Sequence, residues 1–330
     1  MSAVTLYPLR FDPIYQYRLW GGRRLGNLLC NPLPGEGPFG EAWVLSDRED
    51  HASCVANGAL KGQTIGHVLE RFPAEIMGRL AHRFQRFPLL LKFLDVEEML
   101  SVQVHPGDNR SDLLPPGESG KTEAWVVLEA GPRSLIYDGL KPGTTLRDLR
   151  HSLSDGTLPD HLERFVPKVG DAALTPAGIV HSLGGGLVVF EIQENSDVTF
   201  RLYDWGHIDP RTGEPRPLQV EKALAAVVFG KCNAGLVTPV VESTAPVQRE
   251  RLFSTKHFLL WRLRGAAPFD IGSTDLPRVL ACVEGAGDVE YQGASYLITK
   301  GEVWLLPATV GICRFCPQGQ VTLLDIAIPE

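Results

Sequence analysis

The chain has 330 residues, of which 44% are hydrophobic and 22% are charged, and its formal net charge is −7. This length gives room for a large core and about two domains, whereas the acidic balance argues against a nucleic-acid partner, which requires a basic face. No apolar run approaches the roughly 20 residues of a membrane span, so we expect no membrane partner.

The beginning of the chain and the cysteine content predict a cytoplasmic protein. The amino-terminal segment lacks the basic and apolar regions of a signal peptide. Six cysteines are few for this length and argue against a disulfide scaffold; they are Cys30, Cys54, Cys232, Cys282, Cys313 and Cys316. Cys313 and Cys316 form a CxxC without a second pair nearby, which favours two buried strand cysteines over a zinc knuckle or a redox pair.

The pattern of the chain is mainly β with a few inserted helices. The first 60 residues are rich in Gly and Pro and contain short alternating stretches typical of strands and turns. A helical region is predicted next, with a capping candidate at Thr64 and an interruption at Pro73. Strand patterns return from Leu89 to Tyr137 and again through the last third of the chain. The helical regions are predicted over Thr64 to Phe84, about Thr145 to Phe165, and Leu218 to Gly230.

Two segments of the chain resemble each other. GDAALTPAGIVHSLGGG begins at Gly170 and GEVWLLPATVGICRFC begins at Gly301, and in both copies Pro-Ala follows six residues after the glycine. A turn, a strand and a second turn form the repeating unit of a small antiparallel barrel, so the pattern predicts two cupin-like jelly-roll barrels. His181 of the first copy corresponds to Ile312 of the second. Only the first barrel would therefore keep this potential metal ligand.

We expect the first barrel, with its helical inserts, to span residues 1–230 and to carry the metal site. The second barrel, over residues 231–330, would lack metal ligands. The pattern allows the N-terminal strands to pair with this second barrel. This division follows from the position of the repeat and from the β-rich pattern after the last predicted helix.

Four potential metal ligands fall in strand and turn patterns. Gln103 and His105 lie two residues apart in LSVQVHPGDN, so their side chains project from the same face of a strand. Glu123 in GKTEAW and His181 in PAGIVHSLGGG add a carboxylate and a second imidazole. A catalytic zinc site uses such N and O donors and keeps one position open, although Mn, Fe and Co fit the same ligand types. For each histidine alone, the alternative is an ordinary hydrogen-bonded loop residue.

The sequence resembles the type I phosphomannose isomerases, in particular their short bacterial form. The resemblance rests on ordered blocks between about residues 18 and 228. These blocks are RLWGGRRLG, FGEAWVLSD, LLLKFLDVEEMLSVQVHPGD, GKTEAWVVL, PAGIVHSLGGGLVVFEIQENSDVTFRLYDWGH and RPLQVEKALAAV. The longer helical insertion of fungal members is missing, and Gln219 stands where close relatives are expected to have His.

The resemblance implies a zinc-dependent enzyme that interconverts mannose 6-phosphate and fructose 6-phosphate through an enediol. It implies one zinc ion per chain, and its ligands match the four residues above: Gln103, His105, Glu123 and His181. The family's active-site arginine matches Arg201, which would stabilise the developing oxyanion. The small-molecule partner would be a sugar phosphate, and we expect the chain to be a monomer.

Other matched residues imply roles around the substrate. Lys121 and Asp197 are expected near the transferred proton, and reasoning from the residues leaves Glu194 as a further candidate base. Ser101 and Lys92 are candidates for the sugar phosphate, because a hydroxyl and a cation both donate to phosphate oxygens.

Less specific interpretations stand beside these. Lys92 could instead extend from its strand toward solvent or pair with Asp95, and Asp204 could form an ordinary ion pair with Arg201. Two rival functions are an oxygen-dependent metal cupin enzyme, which would commonly use more His ligands, and a non-catalytic sugar-phosphate-binding or regulatory cupin protein.

Overall fold

The computed structural model describes residues 5–230 and 235–330, and the chain is mainly β with a few short helices, as the sequence predicts. Cys232 lies outside the described residues. Among the described residues, no helix combines the length and the apolar character needed to cross a lipid bilayer.

Twenty-six strands and five α-helices are described. The first strands in chain order are β1 (Leu9–Arg10), β2 (Ile14–Tyr17), β3 (Phe39–Leu45), β4 (Asp47–Arg48), β5 (His51–Ala52), β6 (Leu89–Val96), β7 (Val102–Val104), β8 (Glu123–Glu129), β9 (Leu135–Leu140), β10 (Leu162–Phe165), β11 (Ala172–Thr175), β12 (His181–Gly184), β13 (Leu187–Glu194) and β14 (Phe200–Tyr203). They are followed by β15 (Ile208–Asp209), β16 (Glu214–Pro215), β17 (Val240–Ser243), β18 (Gln248–Ser254), β19 (Leu259–Gly265), β20 (Phe269–Gly272), β21 (Arg278–Glu284), β22 (Ala286–Tyr291), β23 (Ala294–Thr299), β24 (Val303–Leu306), β25 (Ile312–Pro317) and β26 (Val321–Ala327). The α-helices are α1 (Leu25–Leu28), α2 (Ile65–Arg71), α3 (Pro73–Met77), α4 (Leu146–Asp155) and α5 (Val220–Ala226).

The order of strands is repeated along the chain. A six-stranded sheet has the order β11-β8-β13-β6-β3-β2, and the corresponding strands of a seven-stranded sheet have the order β24-β21-β26-β19-β18-β17, with β1 added at its edge. The order β9-β12-β7 in a five-stranded sheet likewise matches β22-β25-β20 in a four-stranded sheet. The two similar sequence segments occupy equivalent places, because β11 and β12 correspond to β24 and β25. The number of closed barrels and the domain boundary after residue 230 remain predictions.

The main core lies between the six-stranded and seven-stranded sheets. Phe93 and Phe190 point into it from β6 and β13, and Leu260, Ala281 and Leu324 point into it from the second set of strands. Apolar side chains of α2 and α3 close the same core. Since side chains alternate along a strand, the opposite faces of β6 and β13 are left free to carry polar groups.

The predicted helices form with adjusted boundaries. Thr64 caps α2 by accepting a hydrogen bond from the backbone N–H of His67, and Pro73 begins α3 where the pattern predicted an interruption. Helix α4 begins after Thr145 with a capping box and ends at Gly156, whose φ of 74° suits glycine. The prediction of helix up to Phe165 is wrong for Leu162–Phe165, which pair with β9 as a strand. Tertiary pairing overrides local helical spacing there.

The two cysteines of the CxxC point away from each other. Both lie in β25, three residues apart, so they project from opposite faces of the strand. Cys313 is buried in the core, whereas Cys316 is partly exposed beside Glu290. The prediction of two buried strand cysteines is therefore confirmed for Cys313, but it is wrong for Cys316, whose side chain is partly exposed at the surface of the strand.

Truncating the core at the sheet interface is expected to destabilise the fold. The ring of Phe190 is fully buried and lies 5.2 Å from the ring of Phe93 in an edge-to-face arrangement. We expect Phe190→Ala to lower the free energy of unfolding by about 3–5 kcal/mol, because the substitution leaves a cavity. Denaturant unfolding measures this change. Leu297→Ala is the control, since Leu297 is 48% exposed, and a similar loss in both variants would contradict the assignment of the core.

Candidate active site and metal cluster

A cavity of about 400 Å³ opens between the six-stranded sheet and the five-stranded sheet. Six residues predicted for the site line it, namely Lys92, Ser101, Gln103, Lys121, Asp197 and Arg201. The remaining three predicted residues, His105, Glu123 and His181, form a cluster reached through Gln103 and Lys121. The structure therefore brings all nine residues into one region.

Strand register brings these side chains together. Strand β7 lies between β12 and β14, so Gln103 is paired with His181 on one side and with Arg201 on the other. Glu123 is the first residue of β8, in the sheet that faces β7 across the cavity. Residues that are distant in sequence thus converge because they occupy neighbouring positions in the two sheets.

Two imidazoles and one carboxylate form a buried cluster. His105 Nε2 lies 3.2 Å from Glu123 Oε2, His181 Nε2 lies 3.1 Å from Glu123 Oε1, and the two rings have their centroids 4.8 Å apart. All three side chains are about 1% exposed. Imidazole nitrogens and a carboxylate at this spacing are a donor set that suits zinc and related divalent ions.

The protonation of the imidazoles fits a cation in the cluster. Nδ1 of His105 lies 2.8 Å from the carbonyl oxygen of Val198, and Nδ1 of His181 lies 2.9 Å from that of Ile179. Because a carbonyl only accepts hydrogen bonds, both Nδ1 atoms carry a proton, and both Nε2 atoms face the Glu123 carboxylate. His105 Nε2 is buried without a hydrogen-bond partner, and Glu123 Oε2 faces the Lys121 ammonium at 2.8 Å. A metal ion would satisfy these electron-rich buried atoms.

Charge within the cluster is balanced by a lysine. Burial alone would raise the pKa of Glu123, but the Lys121 ammonium, with Nζ 2.8 Å from Oε2, holds this pKa well below its usual range. Burial and the nearby Lys121 lower the pKa of His105 to about 4. The carboxylate is thus ionised and His105 is neutral at physiological pH, as metal ligation requires.

Gln103 differs from the other predicted ligands in orientation. Its amide nitrogen faces His181 Nε2 at 3.2 Å, while its Oε1 accepts a hydrogen bond from Ser101 Oγ at 3.2 Å. Rotation of the amide by half a turn would direct Oε1 to the cluster. Ser101 therefore lies close enough to influence the orientation of the amide.

Lys92 lies among carboxylates rather than beside Asp95. Its Nζ is 3.3 Å from Glu191 Oε1 and 3.7 Å from Glu41 Oε2, and it lies over the ring of Trp43. Asp197 Oδ1 is 3.9 Å away. The alternative pairing with Asp95 is wrong, because Arg24 donates to that carboxylate.

Arg201 is held by the chain that follows it. Its backbone N–H donates to Gln219 Oε1 at 3.0 Å, and its Nη1 donates to the carbonyl of Pro217 at 2.9 Å. Gln219, which departs from the expected His, thus anchors β14 beside the cavity. The predicted alternative partner Asp204 instead accepts two hydrogen bonds from Arg216.

The sequence missed several charged groups of the cavity. Arg18, Glu41, Glu191 and Arg216 all line it. Glu191 was detectable, because it interrupts the apolar run of β13, whereas no local pattern marks Arg18 or Arg216. Glu194, considered as a base, does not line this cavity; its carboxylate contacts His257 and the backbone N–H of Thr122.

Comparisons with known proteins identify relatives in sequence and in fold. Residues 9–121 match the family model of the phosphomannose isomerase type I catalytic domain. The chain is 32% identical over 307 residues to the probable mannose-6-phosphate isomerase GmuF of Bacillus subtilis, covering 92% of this chain and 95% of that protein. It is 31% identical over 310 residues to the mannose-6-phosphate isomerase of Streptococcus mutans, covering 93% and 95% of the two chains. A solved structure of the mannose 6-phosphate isomerase from Bacillus subtilis matches with a TM-score of 0.89 and 29% identity, over 97% of this chain and 99% of that one.

Removal of the buried ammonium should destabilise the protein in a pH-dependent way. Lys92→Met leaves Glu41 and Glu191 without this cation, and breaking such a buried pair costs about 3–5 kcal/mol of unfolding free energy. Burial already raises the pKa of Glu191 in the folded protein, and Lys92 opposes the rise. A carboxyl with a raised pKa loses stabilisation as pH increases. The loss in Lys92→Met should therefore be larger at pH 8 than at pH 5.

Urea unfolding at the two pH values measures this difference. Lys61→Met is the matched control, because Lys61 is exposed, and it should change stability by less than about 0.5 kcal/mol. Equal losses for Lys92→Met at pH 5 and pH 8 would contradict the electrostatic account.

Proposed function

The chain belongs to the type I phosphomannose isomerase family, and from this premise we propose that it is a zinc-dependent isomerase that interconverts mannose 6-phosphate and fructose 6-phosphate through an enediol. The observation that carries the proposal is the buried His105, Glu123 and His181 cluster beside a cavity lined by cationic side chains. Family membership removes the alternative of an oxygen-dependent cupin enzyme.

We propose His105, Glu123, His181 and Gln103 as ligands of one catalytic zinc ion per chain. The two Nε2 atoms that face the ionised Glu123 carboxylate support this assignment, and Gln103 would join after rotation of its amide. When bound, a divalent cation supplies Lewis-acid polarisation of the substrate carbonyl.

The proton moved in this isomerisation leaves C2 of the aldose and is returned at C1. Lys121 and Asp197 both line the cavity, and we propose them as the groups near this proton. Lys121 is buried against Glu123, whereas the side chain of Asp197 is 43% exposed and stands at the solvent side of Lys92. Arg201 would donate to the oxygen that gains negative charge in the enediolate.

The charge of the cavity suits an anionic sugar. Five cationic side chains line it, Arg18, Lys92, Lys121, Arg201 and Arg216, against four carboxylates, Glu41, Glu191, Asp197 and Asp209. The local excess of one positive charge contrasts with the formal net charge of −7 of the whole chain. We propose that Ser101 and Lys92 contribute to binding the phosphate, with hydroxyl and ammonium donors.

We also propose that the protein acts in the cytoplasm as a monomer. The five cysteines within the described ranges are all free thiols, which supports a reducing compartment.

Metal removal should abolish turnover reversibly. In a coupled assay that follows conversion of mannose 6-phosphate to fructose 6-phosphate, chelator treatment should stop the reaction and added zinc should restore it. Glu123→Gln should lower turnover about 10²-fold or more and weaken metal retention, because it removes a charged ligand. Folded, zinc-loaded protein that binds the sugar phosphate without turnover would instead favour the non-catalytic alternative.

Arg201→Ala should separate transition-state stabilisation from metal binding. We expect retained zinc and a turnover lower by about 10²–10³-fold, as for loss of a donor to an oxyanion. Metal analysis and steady-state kinetics measure the two effects. Arg211→Ala is the control, since Arg211 is exposed and does not line the cavity. Equal turnover in Arg201→Ala and the unmodified protein would remove Arg201 from the mechanism.

A further inference from the structure

A second group of metal-ligating side chains lies outside the catalytic cavity. Asp108, Glu194 and His257 each offer one ligand atom, and these atoms lie within 4.8 Å of one another. They come from three separate segments: the loop after β7, the end of β13, and the turn between β18 and β19. They line a different cavity of about 660 Å³, and the proposed mechanism uses none of them.

We propose that Asp108, Glu194 and His257 form a second binding site for a divalent cation of the zinc class. Glu194 is only 8% exposed, and its two carboxylate oxygens have different surroundings. Its Oε2 accepts a hydrogen bond from the backbone N–H of Thr122 at 2.8 Å, while its Oε1 lies 2.9 Å from His257 Nδ1. One oxygen is fixed by the backbone and the other faces the imidazole.

Asp108 is oriented in the same manner. Its Oδ1 accepts a hydrogen bond from the backbone N–H of Gly120 at 2.8 Å, and its Oδ2 faces Lys256 Nζ at 3.9 Å. Outer contacts of this kind fix the direction of carboxylate ligands and tune metal sites. In each carboxylate, one oxygen therefore accepts a hydrogen bond from the backbone, and the other oxygen is left to bind a cation.

The donor chemistry selects the class of ion. One imidazole nitrogen with two carboxylate oxygens suits zinc and neighbouring divalent ions, and three protein ligands leave room for water. With neutral His257 the three ligands carry two negative charges. Lys256 is the nearby cation, but its side chain is 77% exposed, and an exposed ion pair of this length is weak. A divalent ion held by three ligands would displace it.

The location gives the site a role in positioning the catalytic segment. Asp108 accepts a hydrogen bond from the backbone N–H of Gly120, and Glu194 accepts one from the backbone N–H of Thr122. These two donors lie on either side of Lys121. A cation bound to both carboxylates would hold the segment that carries Lys121 and leads into Glu123. It would also join this segment to the β18–β19 turn through His257.

Zinc titration of the metal-free, full-length protein by calorimetry tests the proposal. The unmodified chain should bind two equivalents. Glu123→Gln should retain only the second site, and His257→Gln should retain only the catalytic one, with the affinity of the second site lowered at least about tenfold by loss of a ligand. The double variant should bind neither equivalent. Because Glu123→Gln isolates the second site, its occupancy is measured whether or not the protein is an isomerase.

Two further variants sharpen the test. Lys256→Gln should increase the affinity of the second site, because it removes the competing ammonium, whereas a purely structural ion-pair cluster would not respond in this way. His82→Gln is the control, since His82 is exposed and outside both clusters, and it should still bind two equivalents. Asp108→Asn replaces His257→Gln if the latter fails to fold. Absence of zinc binding by Glu123→Gln, or two equivalents in both His257→Gln and Asp108→Asn, would overturn the proposal.

The positioning role has its own measurement. In the Glu123→Gln background, zinc should slow amide hydrogen exchange in the segment containing Gly120 and Thr122, and this protection should disappear when His257→Gln is added. Unchanged exchange on binding of the ion would overturn the positioning role.

Discussion

The site depends on the orientation of two buried imidazoles. Carbonyl oxygens of Val198 and Ile179 fix a proton of His105 and of His181 on Nδ1, so both Nε2 atoms face the Glu123 carboxylate. A nitrogen and a carboxylate oxygen 3.1–3.2 Å apart in a buried place require positive charge between them, from a proton or a metal ion. Lys121 supplies part of this charge from the edge of the cluster. The fold therefore holds the electron-rich atoms of His105, Glu123 and His181 together at a cost in free energy. A bound cation would remove this cost.

The same strands supply the core and the charged wall of the cavity. On β6 and β13, Phe93 and Phe190 face the apolar core, while Lys92 and Glu191 lie directly opposite each other in register on the other face. Buried charges are tolerated only when they are paired, so a carboxylate on one strand requires a cation on its neighbour. Because β6 and β13 carry ion pairs on one face and apolar core residues on the other, a change in these strands affects both the core and the cavity.

The sequence pattern identified polar residues that interrupt or follow strands, and the four predicted metal ligands are of this kind. The structure brings them into one region. They did not reveal Arg18 or Arg216, because closeness to the cavity is decided by register between strands that are distant in sequence. Glu194 was considered as a base because it is a carboxylate three residues before Asp197. However, β13 ends at Glu194 and the chain turns there, so the two carboxylates face different cavities. A spacing of three residues does not place two side chains on the same face of a strand, so the distance in sequence alone gave no support for a shared site.

The repeated strand order explains why the second set of strands lacks an equivalent metal cluster among the described residues. Glu123 pairs with Thr175, just before Pro176 of the first repeat. Arg278 pairs with Leu306, just before Pro307 of the second repeat, so Glu123 and Arg278 occupy equivalent positions. His181 begins β12, and its counterpart Ile312 begins β25 and is 61% exposed. A guanidinium and an aliphatic side chain replace the carboxylate and the imidazole, and neither binds a cation. Because the backbone geometry is repeated while the donors are not, chemistry here is set by side chains placed on a common scaffold.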